Sequence, residues 1–132
     1  MKKTKWWLIV VGVFYLLLTC MNLYALFFDN SIIRGTLPPP VNDDTLKAFS
    51  DAWMVFIFEC GVLGGMCVYA SHTPAQSRLL MLTVIFAEVF RGIAADAIWM
   101  TRGYSTADYI PFIIIHLIII VTGVMWLPKK AP

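Results

Sequence analysis

Glu59, Glu88, Arg91, Asp96 and His116 all stand inside otherwise apolar stretches of this chain. A carboxyl group beside an imidazole can pass protons, act as a general acid and base, or hydrogen-bond a ligand. A guanidinium beside them can hold a carboxylate or another acceptor through paired N–H donors. In the middle of a lipid-spanning helix each such group costs about 2.5–3.5 kcal/mol by insertion scales. Side chains of this kind therefore turn towards one another, either as structural glue between helices or as a working site.

The elements that position them follow from composition. Of 132 residues, 60% are hydrophobic and 14% charged, and the mean hydropathy is +0.78. Soluble domains hold about 45–50% apolar and about 25% charged residues, so a water-soluble fold of this size could not hide the apolar surface. The net charge of +2, with no basic run interleaved with aromatics, excludes nucleic acid as a partner. Partners are expected among membrane lipid, small lipophilic ligands and other membrane proteins, in a homodimer or a larger complex. Cys20, Cys60 and Cys67 lie in apolar stretches and form no CxxC or Cys/His spacing. That pattern supports neither a metal site nor dithiol chemistry, and it names no cofactor.

Hydrophobic runs over about 6–28, 52–70, 78–100 and 109–127 predict four helical spans, a single all-α integral membrane four-helix bundle. The first run follows Lys2, Lys3 and Lys5 as a signal peptide would. It is longer than a signal core and no small-x-small cleavage site follows, so it reads as a retained anchor. The segment 29–51, with Pro38, Pro39 and Pro40 near its middle, reads as an outer loop. Asn42 or Asp43 is placed to cap a short lead-in over 45–50. Lys2, Lys3, Lys5, Arg78, Lys129 and Lys130 fall on one side of the membrane and only Arg34, Lys47 and Arg102 on the other. This bias predicts cytoplasmic N and C termini. Trp6, Trp7 and Trp126 would form the inner aromatic belt, and Phe28, Trp53, Trp99 and Tyr109 the outer one.

Depth along these spans brings the charged groups to one level. Glu59, Arg91 and His116 each fall about 3 Å outward of their span centres at ~1.5 Å per residue, and Thr19 reaches the same layer. Glu88 and Arg91, three apart on a helix, are expected to interact directly, with Glu59 as the second partner of Arg91. The surplus carboxylate would then turn to His116. Asp96 continues the polar track outward with Asn22. Gly61 and Gly65 form a small-xxx-small pair that admits a close neighbour, either the first span or a second copy of the chain.

The segment Phe58-Glu59-Cys60-Gly61-Val62-Leu63-Gly64-Gly65, the Glu88–Arg91 pair and the opening Lys5-Trp6-Trp7-Leu8-Ile9-Val10-Val11-Gly12 resemble the small BphX-like and DoxX-like bacterial membrane proteins. The resemblance implies a four-helix fold in the bacterial inner membrane. It assigns no catalytic residues. The expected function is an intramembrane polar pocket, framed by Glu59, Glu88, Arg91, Asp96 and His116, for a small lipophilic molecule such as a quinone, an aromatic hydrocarbon or a lipid. The alternatives are an accessory subunit of a larger membrane complex and a membrane enzyme or proton-coupled transporter using the same cluster.

Overall fold

The computed structural model describes residues 1–129, so Lys130, counted above with the basic residues of one side, lies outside the described residues. The described residues form helices and no strand. Three of the helices are long and apolar enough to cross a membrane: α1 (Lys2–Phe27), α3 (Asp43–Ala70) and α6 (Thr106–Met125). A short α2 (Asn30–Thr36) joins the first two. Between α3 and α6, α4 (Arg78–Ala87) runs into a π-helical segment (Glu88–Ala94) and then α5 (Ala95–Thr101) without interruption.

The segment 29–51 is thus largely helical, unlike the loop read from its prolines. Asp29 caps α2 by accepting from the Ser31 amide at 3.1 Å. Asn42 caps α3 by accepting from the Thr45 amide at 2.7 Å, so the lead-in and the span are one helix. Ile33 and Leu37 pack with Ala25 and Leu46 to hold α2 against α1 and α3.

α1 and α3 make the most extensive contact in the molecule. A Cβ on Gly12 would lie 2.9 Å from the Gly64 carbonyl oxygen, and one on Gly64 would lie 2.9 Å from that of Gly12. Only glycine at both positions lets these backbones meet so closely. Gly61 instead faces Thr19, and Gly65 has open space before it.

The start of α1 and the residues that follow α6 lie together. Thr4 Oγ1 donates to the Trp126 carbonyl at 2.8 Å, and Arg78 donates to that of Pro128 at 2.5 Å. Just inside them sits a core of Trp7, Leu8, Val11, Tyr15, Cys67, Met81, Val84 and Ile119. Trp6 is exposed, as a belt residue would be, but Trp7 is buried. Its indole N–H is shared between the Ile119 carbonyl at 3.2 Å and Thr122 Oγ1 at 3.1 Å, with its ring against Gly123. A tryptophan with an internal acceptor for its N–H can leave the interface for the core.

Candidate functional site

Beyond that core, towards α2, the interior becomes polar. Glu88 is almost fully buried and accepts hydrogen bonds from two other helices. The Tyr15 hydroxyl of α1 donates to Glu88 Oε1, and His116 Nδ1 of α6 bonds Glu88 Oε2. The opposite ring nitrogen, His116 Nε2, lies 3.5 Å from Asp96 Oδ2. The imidazole therefore bridges two carboxylates of one continuous helical segment. Nδ1 is bonded to Glu88 while Nε2 only faces Asp96, and among the described residues no set of three such side chains could hold a metal ion.

The π-helical turn explains how one ring reaches both acids. Its i→i+5 bonding widens the turn, so residues four apart come close to alignment along one face. Glu88, Gly92 and Asp96 are such a series, and Glu88, Gly92 and Asp96 are the residues buried in the π segment and at the start of α5. A Cβ on Gly92 would stand 2.6 Å from His116 Cγ and Nδ1. The imidazole lies flat on that glycine, between the acids above and below it.

The same widening separates Glu88 from Arg91, which the three-residue spacing had paired. Arg91 instead lays its guanidinium over the rings of Phe56, at 4.9 Å, and Tyr15, at 5.6 Å. Such placement gives cation–π attraction but leaves the N–H donors unspent. The carboxylate nearest to it is Glu59, at 3.9 Å, whose side chain is 65% exposed. Glu88, Arg91, Asp96 and His116 are thus brought to one place, while Glu59 stands at its edge on the outward face of α3. Thr19 is spent on packing, donating to the Tyr15 carbonyl at 2.8 Å.

Tyr15, Glu88, Arg91, Gly92, Asp96 and His116 line a cavity of about 220 Å³, and Glu59 and Thr19 do not. Its remaining wall is mainly apolar and aromatic, including Phe14, Leu18, Trp53, Phe56, Trp99, Tyr109 and Phe112, with Ile32, Ile33 and Thr36 of α2 at one end. Asn22 also lines it and accepts from the Trp53 indole at 3.0 Å. Trp99 packs on Trp53 and Tyr109 with centroids 5.9 and 5.6 Å apart. Three of the four residues expected in the outer belt, Trp53, Trp99 and Tyr109, thus form part of the cavity wall, while Phe28 is exposed.

No family model, curated protein or solved structure matches this chain. Its chemistry has to be taken from the residues themselves.

Sequence reasoning missed Tyr15 and the stacking role of Gly92. A tyrosine in the middle of an apolar run was the available signal, because a buried phenol needs a hydrogen-bond partner. On an ordinary α-helix Glu88, Gly92 and Asp96 already share a broad face, but the π-helical turn, which has no composition signature in this stretch, draws them closer to one line.

Proposed function

We propose that this chain is an integral membrane protein of four spans, with both termini cytoplasmic, and that its cavity binds a small lipophilic molecule. The continuous helical segment 78–101 supplies the fourth span. Its acids Glu88 and Asp96 are turned inward, and Leu79, Phe86, Phe90 and Ile98 are exposed on its outside. Such a helix meets the two demands of lipid, internal partners for charge and apolar side chains outward. The likeness to BphX-like and DoxX-like proteins, and with it a bacterial inner membrane, accords with this proposal.

The observation that carries the binding function is the cavity itself. It combines apolar and aromatic walls with a few converging polar groups, the usual make-up of a small-molecule site. A purely structural cluster would close on itself, whereas here Arg91 keeps unspent donors beside open volume. The test is mass spectrometry of solvent extracts from protein purified in native-lipid nanodiscs. A molecule retained by the wild type should be lost in Leu18→Trp, which fills the cavity without touching the polar groups. Equal retention by a variant with an unchanged melting temperature would overturn the proposal.

A second function, as a subunit of a larger assembly, is favoured by Glu59. It stands among Val55, Phe58 and Val62 on the exposed face of α3, where a carboxylate facing acyl chains would be costly. A stoichiometric partner retained through gentle detergent purification would support it, and a clean monomer would count against it.

A further inference from the structure

The cavity also restricts the chemistry of its occupant, granted the lipophile-binding function proposed above. Charge is the first restriction. Both nitrogens of His116 face carboxylate oxygens, of Glu88 and of Asp96. With a carboxylate oxygen facing each ring nitrogen, the imidazole is placed to carry a proton on both, and the Glu88–His116–Asp96 unit then bears one net negative charge against the one positive charge of Arg91. The charges in the cavity's interior are thus balanced before any ligand enters, while Asp108, which also lines it, and Glu59 beside Arg91 are exposed at its edges. A ligand bearing a full charge would leave that charge uncompensated in a low-dielectric interior.

Hydrogen bonding is the second restriction. Among the described residues, Asp96 Oδ2 is the buried side-chain oxygen that lacks a hydrogen-bond partner. Asp96 is only 5% exposed, and the Nε2 contact at 3.5 Å is too long to serve as that bond. The oxygen needs a donor. Arg91, stacked between Tyr15 and Phe56, needs an acceptor. A hydroxyl group is both.

Size and shape are the third. An apolar cavity of about 150 Å³ takes up benzene, so the 220 Å³ available here suits one or two fused rings rather than a long-chain lipid. Trp53 is stacked between Phe49 and Phe56, and Arg91 covers Phe56, so the aromatic wall left for such rings is that of Phe14, Trp99, Tyr109 and Phe112. A single water would satisfy Oδ2, but water occupies roughly 30 Å³ and would leave most of the volume empty.

We propose that the cavity takes a neutral phenol of one or two aromatic rings, whose hydroxyl donates to Asp96 Oδ2 and accepts from Arg91. The test is equilibrium dialysis of the full chain in nanodiscs against empty nanodiscs, which subtracts partition into lipid. The probes are 1-naphthol, 1-methoxynaphthalene, naphthalene, 1-naphthoate and 1-naphthylmethylammonium.

We expect naphthol to bind about tenfold tighter than the methyl ether and the hydrocarbon, the order expected of one hydrogen bond to a charged acceptor. Asp96→Leu should erase that preference while leaving the binding of naphthalene in place. Equal affinity of the wild type for naphthol, its ether and naphthalene would overturn this inference and leave the lipophile-binding function standing. Tighter binding of the carboxylate or the ammonium would overturn the neutral-ligand conclusion. A naphthol preference surviving in Asp96→Leu would remove Asp96 from the site. Binding of no probe above empty discs would sink the lipophile-binding function and this inference with it.

Discussion

From the chain ends to the level of Tyr15, residues 6–14, 60–70, 79–87 and 117–127 contain no Asp, Glu, His, Lys or Arg. From that level towards α2, the same helices carry Glu59, Glu88, Arg91, Asp96 and His116. The first half is held by interdigitated apolar side chains, by the Gly12–Gly64 crossing and by the Trp7 indole. The second is held by Glu88, which ties α1 and α6 to the π-helical turn, and it encloses the cavity. Close apolar packing and open volume are thus separated along one bundle. The apolar half also offers no acidic or basic side chain to relay a proton onward from Glu88. The arrangement has the form of a cup closed at the end of the chain termini.

That division is most exposed at Glu88. Replacing it by leucine leaves the Tyr15 hydroxyl and His116 without their shared acceptor inside the bundle. Breaking a buried ionic cluster from one side costs about 3–5 kcal/mol. Denaturant titration in mixed micelles should show a loss of that size for Glu88→Leu. Glu88→Gln keeps an acceptor for Tyr15 and should lose less than half as much. If leucine were tolerated, the polar half would owe its structure to packing alone, and the contrast between halves would vanish.

The glycines give the next largest effect, with one substitution for each half. Gly12→Ala would place a methyl 2.8 Å from Val68 Cγ2 and 2.9 Å from the Gly64 carbonyl oxygen. A backbone oxygen cannot step aside, so α1 and α3 must part, at about 1–3 kcal/mol for overpacking. Gly92→Ala would collide with the His116 ring instead, which can swing away by giving up its bond to Glu88 and its approach to Asp96. We expect Gly12→Ala to lower the unfolding midpoint more. Gly92→Ala should change the side-chain NMR resonances of His116 and reduce ligand retention more. A reversed order would mean that the imidazole is packed as rigidly as the helix crossing.

How much of this was legible beforehand divides along the same line. Long, predominantly apolar runs announced α1, α3 and α6, because lipid-length hydrophobicity needs no tertiary context. The inward turn of His116 within an isoleucine-rich run was equally plain. Partner choice was not. Three-residue spacing paired Glu88 with Arg91 on an ordinary α-helix, and the π-helical turn rotated them apart and put Gly92 and Asp96 in line instead. The Gly61/Gly65 spacing drew attention away from Gly64, whose partner Gly12 lies on another helix and cannot be inferred from spacing within one. The prolines at 38–40 hid the helix before them, α2, which Asp29 caps, whereas the Asn42 cap and the lead-in after them were legible and only their continuity with the span was not.

A smaller effect belongs to Trp7. Trp7→Phe keeps most of the apolar contact but removes the N–H shared between the Ile119 carbonyl and Thr122 Oγ1. The Ile119 carbonyl retains its helix bonding and Thr122 can still donate to the Ile118 carbonyl at 2.6 Å, so little is left unsatisfied. A loss of about 0.5–1.5 kcal/mol is expected, read from the same titrations. A loss as large as that for Glu88→Leu would place a second polar linchpin in the apolar half.

The smallest effect is expected at Glu59, and it sharpens where the polar half ends. Its carboxylate lies 3.9 Å from Arg91, beyond hydrogen-bond range, and its side chain is 65% exposed. Exposed pairs of this kind are worth about 0–1 kcal/mol. Arg91 is already stacked on Phe56 and Tyr15, so losing Glu59 should not release it. Glu59→Gln should therefore leave both the unfolding midpoint and ligand retention of the isolated protein unchanged within error. If retention falls while stability holds, Glu59 supplies charge to the cavity from outside it, and the site extends through Arg91 to the surface of α3. If neither changes in isolation but association with a partner is lost, the carboxylate belongs to an interface, and the cup and the docking face share one helix from opposite sides.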